Sequence, residues 1–381
     1  MSNSKLTIPE NLKWSERMVL SAIHRRKNTL AYGKSEKGIW DYTTGLLLLG
    51  ILKVWEKTSN NIYFNYVKNI IDSFINDNGT INGYKVEEYN IDNINCGKTL
   101  FPLYKVTNDG KYKKAIFLLM KQLETHPRIE QGGFWHKKIY PYQMWLDGIY
   151  MGLPFYAEFA KTFNKPEGFD DITNQIILIE KHTKDNKTGL LYHGWDEKKI
   201  QVWADKNTGC SRNFWGRAIG WFVIGVIDVL DFLPADHENR SVIIDILKNT
   251  MNAVINFMDK ATGLWYQVLD QGNREGNYLE SSASCMFVYA LSKGLRKGFF
   301  NDEYEKIILK SFKGIIEHLI EIESNGIINL KNICQVAGLG GKDKRDGSYE
   351  YYISEPKVTN DRKGIGSFIF AANEIEKILN P

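Results

Sequence analysis

Only four cysteines occur among the 381 residues, and Cys96, Cys210, Cys285 and Cys334 stand 114, 75 and 49 residues apart. Without a CxxC pair, neither a disulfide framework nor a thiolate metal site is expected, and the thiols are read as reduced and mostly buried. Long apolar runs are missing too. The N-terminal segment MSNSKLTIPENLKWSERM contains none, and the most apolar stretch, GLLLLGILKVW, is short and holds Lys53. Neither a signal peptide nor a membrane span is expected, so a cytoplasmic location is. Charge of one sign is also lacking. Forty-nine Lys and Arg against 45 Asp and Glu give a net charge of +4, spread without a basic tail or an aromatic-interleaved stripe. That argues against nucleic acid as a partner and leaves room for a small anionic ligand.

Motifs of the common chemistries are absent as well. The histidines are too scattered for metal-ligand spacing and HExxH does not occur, so no metal and no cofactor are expected. No GxSxG elbow, Walker loop or Rossmann fingerprint appears, and GLGGKD at 338–343 follows no clear strand. What is plentiful is aromatic: 10 Trp, 20 Tyr and 19 Phe. Flat rings serve cores first, and they also pack on the C–H faces of sugars.

Strand alternation is scarce, whereas apolar residues recur at three and four spacing, which predicts an all-α protein. Twelve helices are placed, at 9–29, 40–57, 60–77, 94–105, 110–124, 144–163, 167–184, 213–232, 237–259, 279–297, 303–323 and 361–379. Their connections alternate in length. Those after the even-numbered helices are tight turns, as at Asn164-Lys165-Pro166, while those before them run from about 10 to about 37 residues. Several long loops share a glycine beside aromatic or apolar residues. Taking Gly79, Gly133, Gly189, Gly263 and Gly326 as markers gives steps of 54, 56, 74 and 63 residues, a weak repeat of one helical hairpin. Six hairpins closed into a ring bury every inner helix and gather the long loops on one rim. The expected fold is therefore a single (α/α)6 barrel domain over 1–381, a six-hairpin toroid.

If the even-numbered helices are the inner ones, their N-termini all point to the long-loop rim, where helix dipoles favour an anion. Asp147, in QMWLDGIYMGLPF, falls in the first turn of the sixth helix. Taken alone, it reads as an acid complementing a helix N-terminus. Its company raises another reading. GGFWHKK brings His136 and Lys137 to the rim, LYHGWD brings His193, NFWGRAIGW brings Trp215 and Arg217, and YNIDN brings Asp92, with Met151 one turn after Asp147. One carboxylate, two imidazoles, an arginine and several indoles fit a general acid/base site for a sugar acid. Asp92 and Asp147 could instead form the carboxylate pair of a conventional glycosidase.

The blocks MWLDGIYMGLPF, LYHGWDE with WADKNTGCSRNFWGRAIGW, and CQVAGLGGKDKRDGSYEYYISEPKVTNDRKGIGSF resemble the unsaturated rhamnogalacturonyl hydrolases, glycoside hydrolase family 105. A shorter likeness extends to the unsaturated glucuronyl hydrolases of family 88. The resemblance implies an (α/α)6 barrel acting on a small oligosaccharide whose non-reducing end is a 4,5-unsaturated uronic acid. It implies hydration of the C4–C5 double bond, with Asp147 as general acid and base. Asp92, His136, Lys137, Met151, His193, Trp215 and Arg217 match positions that contact the unsaturated sugar. Unsaturated galacturonyl-rhamnose from the pectic polymer rhamnogalacturonan I is the expected substrate. Unsaturated glucuronyl units from glycosaminoglycans, ulvan or arabinogalactan are the nearer alternative, and a sugar epimerase or isomerase using His136 and His193 is one from another class. A toroidal sugar-binding or scaffold protein is the non-enzyme alternative. A monomer or weak homo-oligomer is expected, with no membrane partner. The family's terminal GVGPF-like run has a proline where this chain has Ser367.

Overall fold

The computed structural model describes residues 7–26 and 38–379. Thirteen α-helices are found among them: α1 (Trp14–Arg26), α2 (Tyr42–Thr58), α3 (Asn61–Asp72), α4 (Leu100–Thr107), α5 (Gly110–Thr125), α6 (Leu146–Thr162), α7 (Gly168–Thr183), α8 (Gly216–Val229), α9 (Arg240–Asn256), α10 (Ser281–Arg296), α11 (Glu303–Leu319), α12 (Tyr349–Ser354) and α13 (Arg362–Leu379). Three pairs of short strands sit in the loops: β1 (Gln143–Trp145) with β2 (Gly194–Asp196), β3 (Ile320–Ile322) with β4 (Ile328–Leu330), and β5 (Ile333–Cys334) with β6 (Lys357–Val358), all antiparallel.

Two kinds of helix follow from two kinds of sequence. GRAIGWFVIGVIDV of α8 has no polar face, and every one of its residues is buried. EYEKIILKSFKGIIEHL of α11 buries only Ile308, Ser311, Gly314, Ile315 and Leu319, one stripe of an amphipathic helix. Helices of the first kind form an inner ring in which each packs on the next: α2, the 3-10 helix Ile91–Thr99 that runs into α4, α6, α8, α10, α13 and again α2. Helices of the second kind lie outside, α3 on α2, α5 on α4, α7 on α6, α9 on α8 and α11 on α10. The sixth outer helix is α1, which packs on α13 and so closes the ring with the start of the chain. This is the (α/α)6 toroid, a single domain. All four cysteines are free and buried in it, and among the described residues no helix is long and apolar enough to cross a membrane.

The departures from the expected spans are local. The first helix starts at Trp14, not at 9, and 27–29 lie outside the described residues. The third helix ends at Asp72, the eleventh gives way to β3, and α12 interrupts the long connection before the last helix. The glycine repeat has a physical source. After α3, α5 and α7 the chain makes one antiparallel bridge, Ile75↔Ile81, Arg128↔Phe134 and Lys184↔Leu191, closed by a tight turn with glycine at positive φ. Gly79, Gly189, Gly263 and Gly326 hold that position, but in the second loop it is Gly132 (φ 91°), not Gly133. In DNKTG and DKATG an aspartate, Asp185 or Asp259, accepts the backbone N–H of the threonine that precedes the glycine.

Ion pairs cluster at the end of the ring opposite the long loops. Lys293 of α10 reaches Asp228 and lies 2.6 Å from Asp231, and Arg296 lies 2.7 Å from Glu374 of α13. These groups are at the C-terminal ends of inner helices, whereas the rim residues stand at the helix starts.

Candidate active site

Strand pairing, not helix packing, sets the centre of the rim. β1 leads directly into α6, and Trp145 pairs with Gly194 across the two strands. The Leu146 N–H then donates to the His193 carbonyl at 3.0 Å. These bonds hold the first turn of α6 against His193, and they place the His193 Nε2 3.2 Å from Oδ2 of Asp147. The N-cap position of α6 is Trp145, and among the described residues the Asp147 carboxylate accepts no hydrogen bond from a backbone N–H. Its Oδ2 is buried without an aligned hydrogen bond, as is Nε2 of His193, and the side chain keeps 13% of its exposure. Oδ1 is the oxygen left open to a ligand. Such off-line geometry is usual before a substrate tightens a site.

A second group stands beside the first. The Ile91 N–H donates to the His136 carbonyl at 3.3 Å, and Asn90 bridges Lys137. This brings Lys137 Nζ to 2.6 Å and His136 Nε2 to 3.5 Å from the Asp92 carboxylate. Burial alone would raise the Asp92 carboxyl, but the Lys137 ammonium and then His136 outweigh it and hold it below the usual range. Lys137 is held above its own usual value, because Asp92 outweighs the cost of burial. His136 goes the other way: burial pushes its imidazole down to about 4, against the pull of Asp92. At neutral pH the trio is an ion pair with a neutral histidine next to it.

Trp145 joins the two groups. Its indole stacks on His136 at 4.4 Å and 17° and meets His193 edge-on at 5.4 Å, and Tyr140 also stacks on it at 4.9 Å. Gly194 makes room for this ring, since a Cβ there would fall 2.9 Å from Cδ1 of Trp145 and 2.9 Å from Leu339. Trp215 packs against His193 at 4.7 Å, and Arg217 lies 4.9 Å from the Trp215 ring. Arg217 is almost wholly buried. It donates to the Cys334 carbonyl and to Ser282, and Glu280 of the next inner helix start stands 3.9 Å away. Met151 is buried one turn beyond Asp147 in α6.

Asp147 and His193 are thus brought together, as are Asp92, His136 and Lys137, with Trp215 beside His193. Arg217 is turned toward Glu280 and the Cys334 segment. Sequence reasoning missed four residues around the site: Tyr140, Gln267, Glu280 and Tyr352. The Tyr352 hydroxyl lies 2.8 Å from Nδ1 of His193, and Gln267 ties the Tyr352 carbonyl to the Trp215 indole. The only available signal for Tyr352 was its place in the YEYYISEP part of the third quoted block.

A toroid of six hairpins with an acid at its long-loop rim is an architecture compatible with the (α/α)6 glycoside hydrolases, and the comparisons with known proteins place the chain in that class. Within that class, the chain belongs to glycosyl hydrolase family 88, whose model matches residues 14–379, and to the family 105 branch related to it. A family 105 glycoside hydrolase from C. acetobutylicum is 49% identical over 96% of this chain and 100% of that one, with a TM-score of 0.93. The unsaturated rhamnogalacturonyl hydrolase YesR of Bacillus subtilis is 27% identical over 74% of this chain and 77% of its own length. The unsaturated glucuronyl hydrolase of Bacillus sp. GL1 shares the fold, with a TM-score of 0.69 at 13% identity over 95% of each chain.

Proposed function

We propose that the protein removes a 4,5-unsaturated uronic acid from the non-reducing end of lyase-generated oligosaccharides, with unsaturated galacturonyl-rhamnose as substrate. The observation that carries this reading is the unequal state of the two rim carboxylates. Asp92 is committed to Lys137 at 2.6 Å, whereas Asp147 keeps an open oxygen beside His193. A conventional glycosidase needs two working carboxyl groups. Hydration of an enol ether needs one.

The reaction then runs as follows. Asp147 gives its proton to C4, and positive charge develops at C5, where the ring oxygen shares it. Water adds to C5 and returns a proton to Asp147. The C5 hemiketal opens, the hemiacetal left at C1 collapses, and the aglycone departs with the glycosidic oxygen, leaving a 5-keto uronic acid. His193 orients the carboxylate, and Trp145 and Trp215 wall the ring site off from water. Lys137, Asp92 and His136 offer hydrogen-bonding groups to the sugar hydroxyls, and Met151 and Arg217 line the base. The rhamnose assignment is supported by the likeness to YesR.

Loss of the conjugated alkene's ultraviolet absorbance tests the proposal on a panel of lyase-generated disaccharides. Fastest turnover is expected on unsaturated galacturonyl-rhamnose, with Asp147→Asn slower by about 10³-fold or more. Preference for unsaturated glucuronyl disaccharides would move the substrate to the alternative class. No turnover of any member of the panel, or near-normal turnover by Asp147→Asn, would overturn the proposal.

A further inference from the structure

His193 is wholly buried, and its two ring nitrogens face different partners. Nε2 looks at Oδ2 of Asp147 from 3.2 Å; Nδ1 sits 2.8 Å from the Tyr352 hydroxyl. Which nitrogen carries the proton decides whether the imidazole supports the Asp147 carboxylate or repels it.

The surroundings of Tyr352 answer the question. Its ring is fully buried, and burial holds the phenol well above its usual pKa, so it keeps its proton at neutral pH. The hydroxyl has one hydrogen-bond partner among the described residues, Nδ1 of His193. A buried O–H without an acceptor is strongly disfavoured, so the hydroxyl donates its hydrogen bond to Nδ1. Nδ1 then accepts and Nε2 bears the hydrogen. The opposite tautomer would orphan the hydroxyl and also turn a lone pair of Nε2 toward a carboxylate oxygen. An imidazolium would orphan the hydroxyl as well. Both ends of the ring select the same state.

Tyr352 is itself held in place. Its carbonyl accepts from Nε2 of Gln267 at 3.1 Å, and Oε1 of Gln267 accepts from the Trp215 indole at 3.1 Å. The Trp215 and Tyr352 rings stack at 5.9 Å and 20°. His193 is packed between these two rings and Trp145. The Tyr352 segment comes from α12, on the long connection before α13, so a loop distant in sequence reaches the α6 acid through one imidazole.

We propose that Tyr352 is a positioning residue that locks His193 as the neutral Nε2–H tautomer, which anchors Oδ2 of Asp147 and leaves Oδ1 to exchange a proton with the ligand. The catalytic consequence rests on the reading of Asp147 given above; the tautomer does not. Removing the hydroxyl frees Nδ1 to take up a proton, and His193 then pairs with Asp147 as an imidazolium or presents a lone pair to it. Either outcome weakens Asp147 as an acid without removing a sugar contact.

Selective ¹⁵N-histidine labelling tests the lock directly, because long-range ¹⁵N–¹H correlation spectra distinguish the two tautomers and the cation. The chain has seven histidines, and a His193→Gln variant assigns the resonance. Wild type at pH 7 should show Nε2–H at His193. Tyr352→Phe, which keeps the ring stack, should shift His193 toward the Nδ1–H or charged form. It should also lower kcat about 10–100-fold with KM changed less than about twofold. 4-Aminophenylalanine placed at 352 restores an N–H donor and should recover the wild-type spectrum. An Nδ1–H or cationic His193 in the wild-type protein would overturn the proposal, as would a Tyr352→Phe variant with wild-type spectrum and kcat. The wild-type spectrum decides the matter even where the variant fails to fold. A protein inactive on every unsaturated disaccharide but with the Nε2–H signature would sink the substrate reading and leave the lock standing.

Discussion

His136 should make the protein acid-sensitive in a defined window, and its replacement should remove that sensitivity. The imidazole is 3% exposed and is pushed down to about 4, mainly by burial, from an ordinary value of 6.5. Between those two values the unfolded chain binds a proton that the folded protein refuses, so stability is complete above about pH 6.5 and is lost as pH falls toward 4. At about 1.4 kcal/mol per pKa unit, the loss approaches roughly 3 kcal/mol at pH 4, and between pH 7.5 and 4.5 it is about 2.5 kcal/mol. His126, also pushed down to about 4 by burial, adds a loss of the same sign in both proteins and cancels in the comparison. Urea unfolding of wild type and His136→Gln, followed by tryptophan fluorescence at the two pH values, isolates the difference. Wild type should lose about 2–3 kcal/mol more than the variant on acidification. Equal losses, within about 0.5 kcal/mol, would show that His136 is protonated in the folded protein at mild acidity. That result would also restore it as a candidate acid, a role its neutral state otherwise denies it.

Two further substitutions separate the site from its frame. Gly194→Ala should push Trp145 off its present position, because the new Cβ meets its Cδ1 at 2.9 Å; a strain of about 1–3 kcal/mol, a shifted indole emission and at least a tenfold loss of kcat/KM are expected. Lys293→Met leaves Asp228 buried without a cation, while the half-buried Asp231 keeps Lys297 at 3.0 Å, and should cost about 3–5 kcal/mol by denaturant unfolding. Turnover per folded molecule should be unchanged, since these groups lie at the far end of the ring from Asp147.

The toroid was legible because burial pattern and loop length carry it. A segment such as GRAIGWFVIGVIDV can only be an inner helix, and the alternation of tight and long connections orders the hairpins. The small strands were not legible. β1 and β2 are three residues each, too short for an alternation signal, yet they bring Asp147 to His193. Nor does periodicity mark the 3-10 helix Ile91–Thr99, so Asp92 was expected in a loop and stands in a helical first turn. The rim residues themselves were read from helix starts and from the quoted blocks. What they do to one another depends on partners remote in sequence. Glu280 opposes Arg217 from the start of α10, and Tyr352 reaches His193 across 159 positions. Asp147 stands in the first turn of α6, as the sequence suggested, and its charge complements the helix N-terminus there; what the sequence did not show is that His193 lies beside it.

The central claim is that a proton is delivered to carbon, and running the reaction in D₂O tests it most directly. Unsaturated galacturonyl-rhamnose should yield free rhamnose and a keto uronic acid with one carbon-bound deuterium at C4, set on one face, seen by NMR before enolisation exchanges it. Asp147→Asn should introduce none. Release of an intact unsaturated uronic acid, its alkene absorbance retained and no deuterium at C4, would mean attack at the anomeric carbon and would contradict the assignment of Asp147 to the double bond.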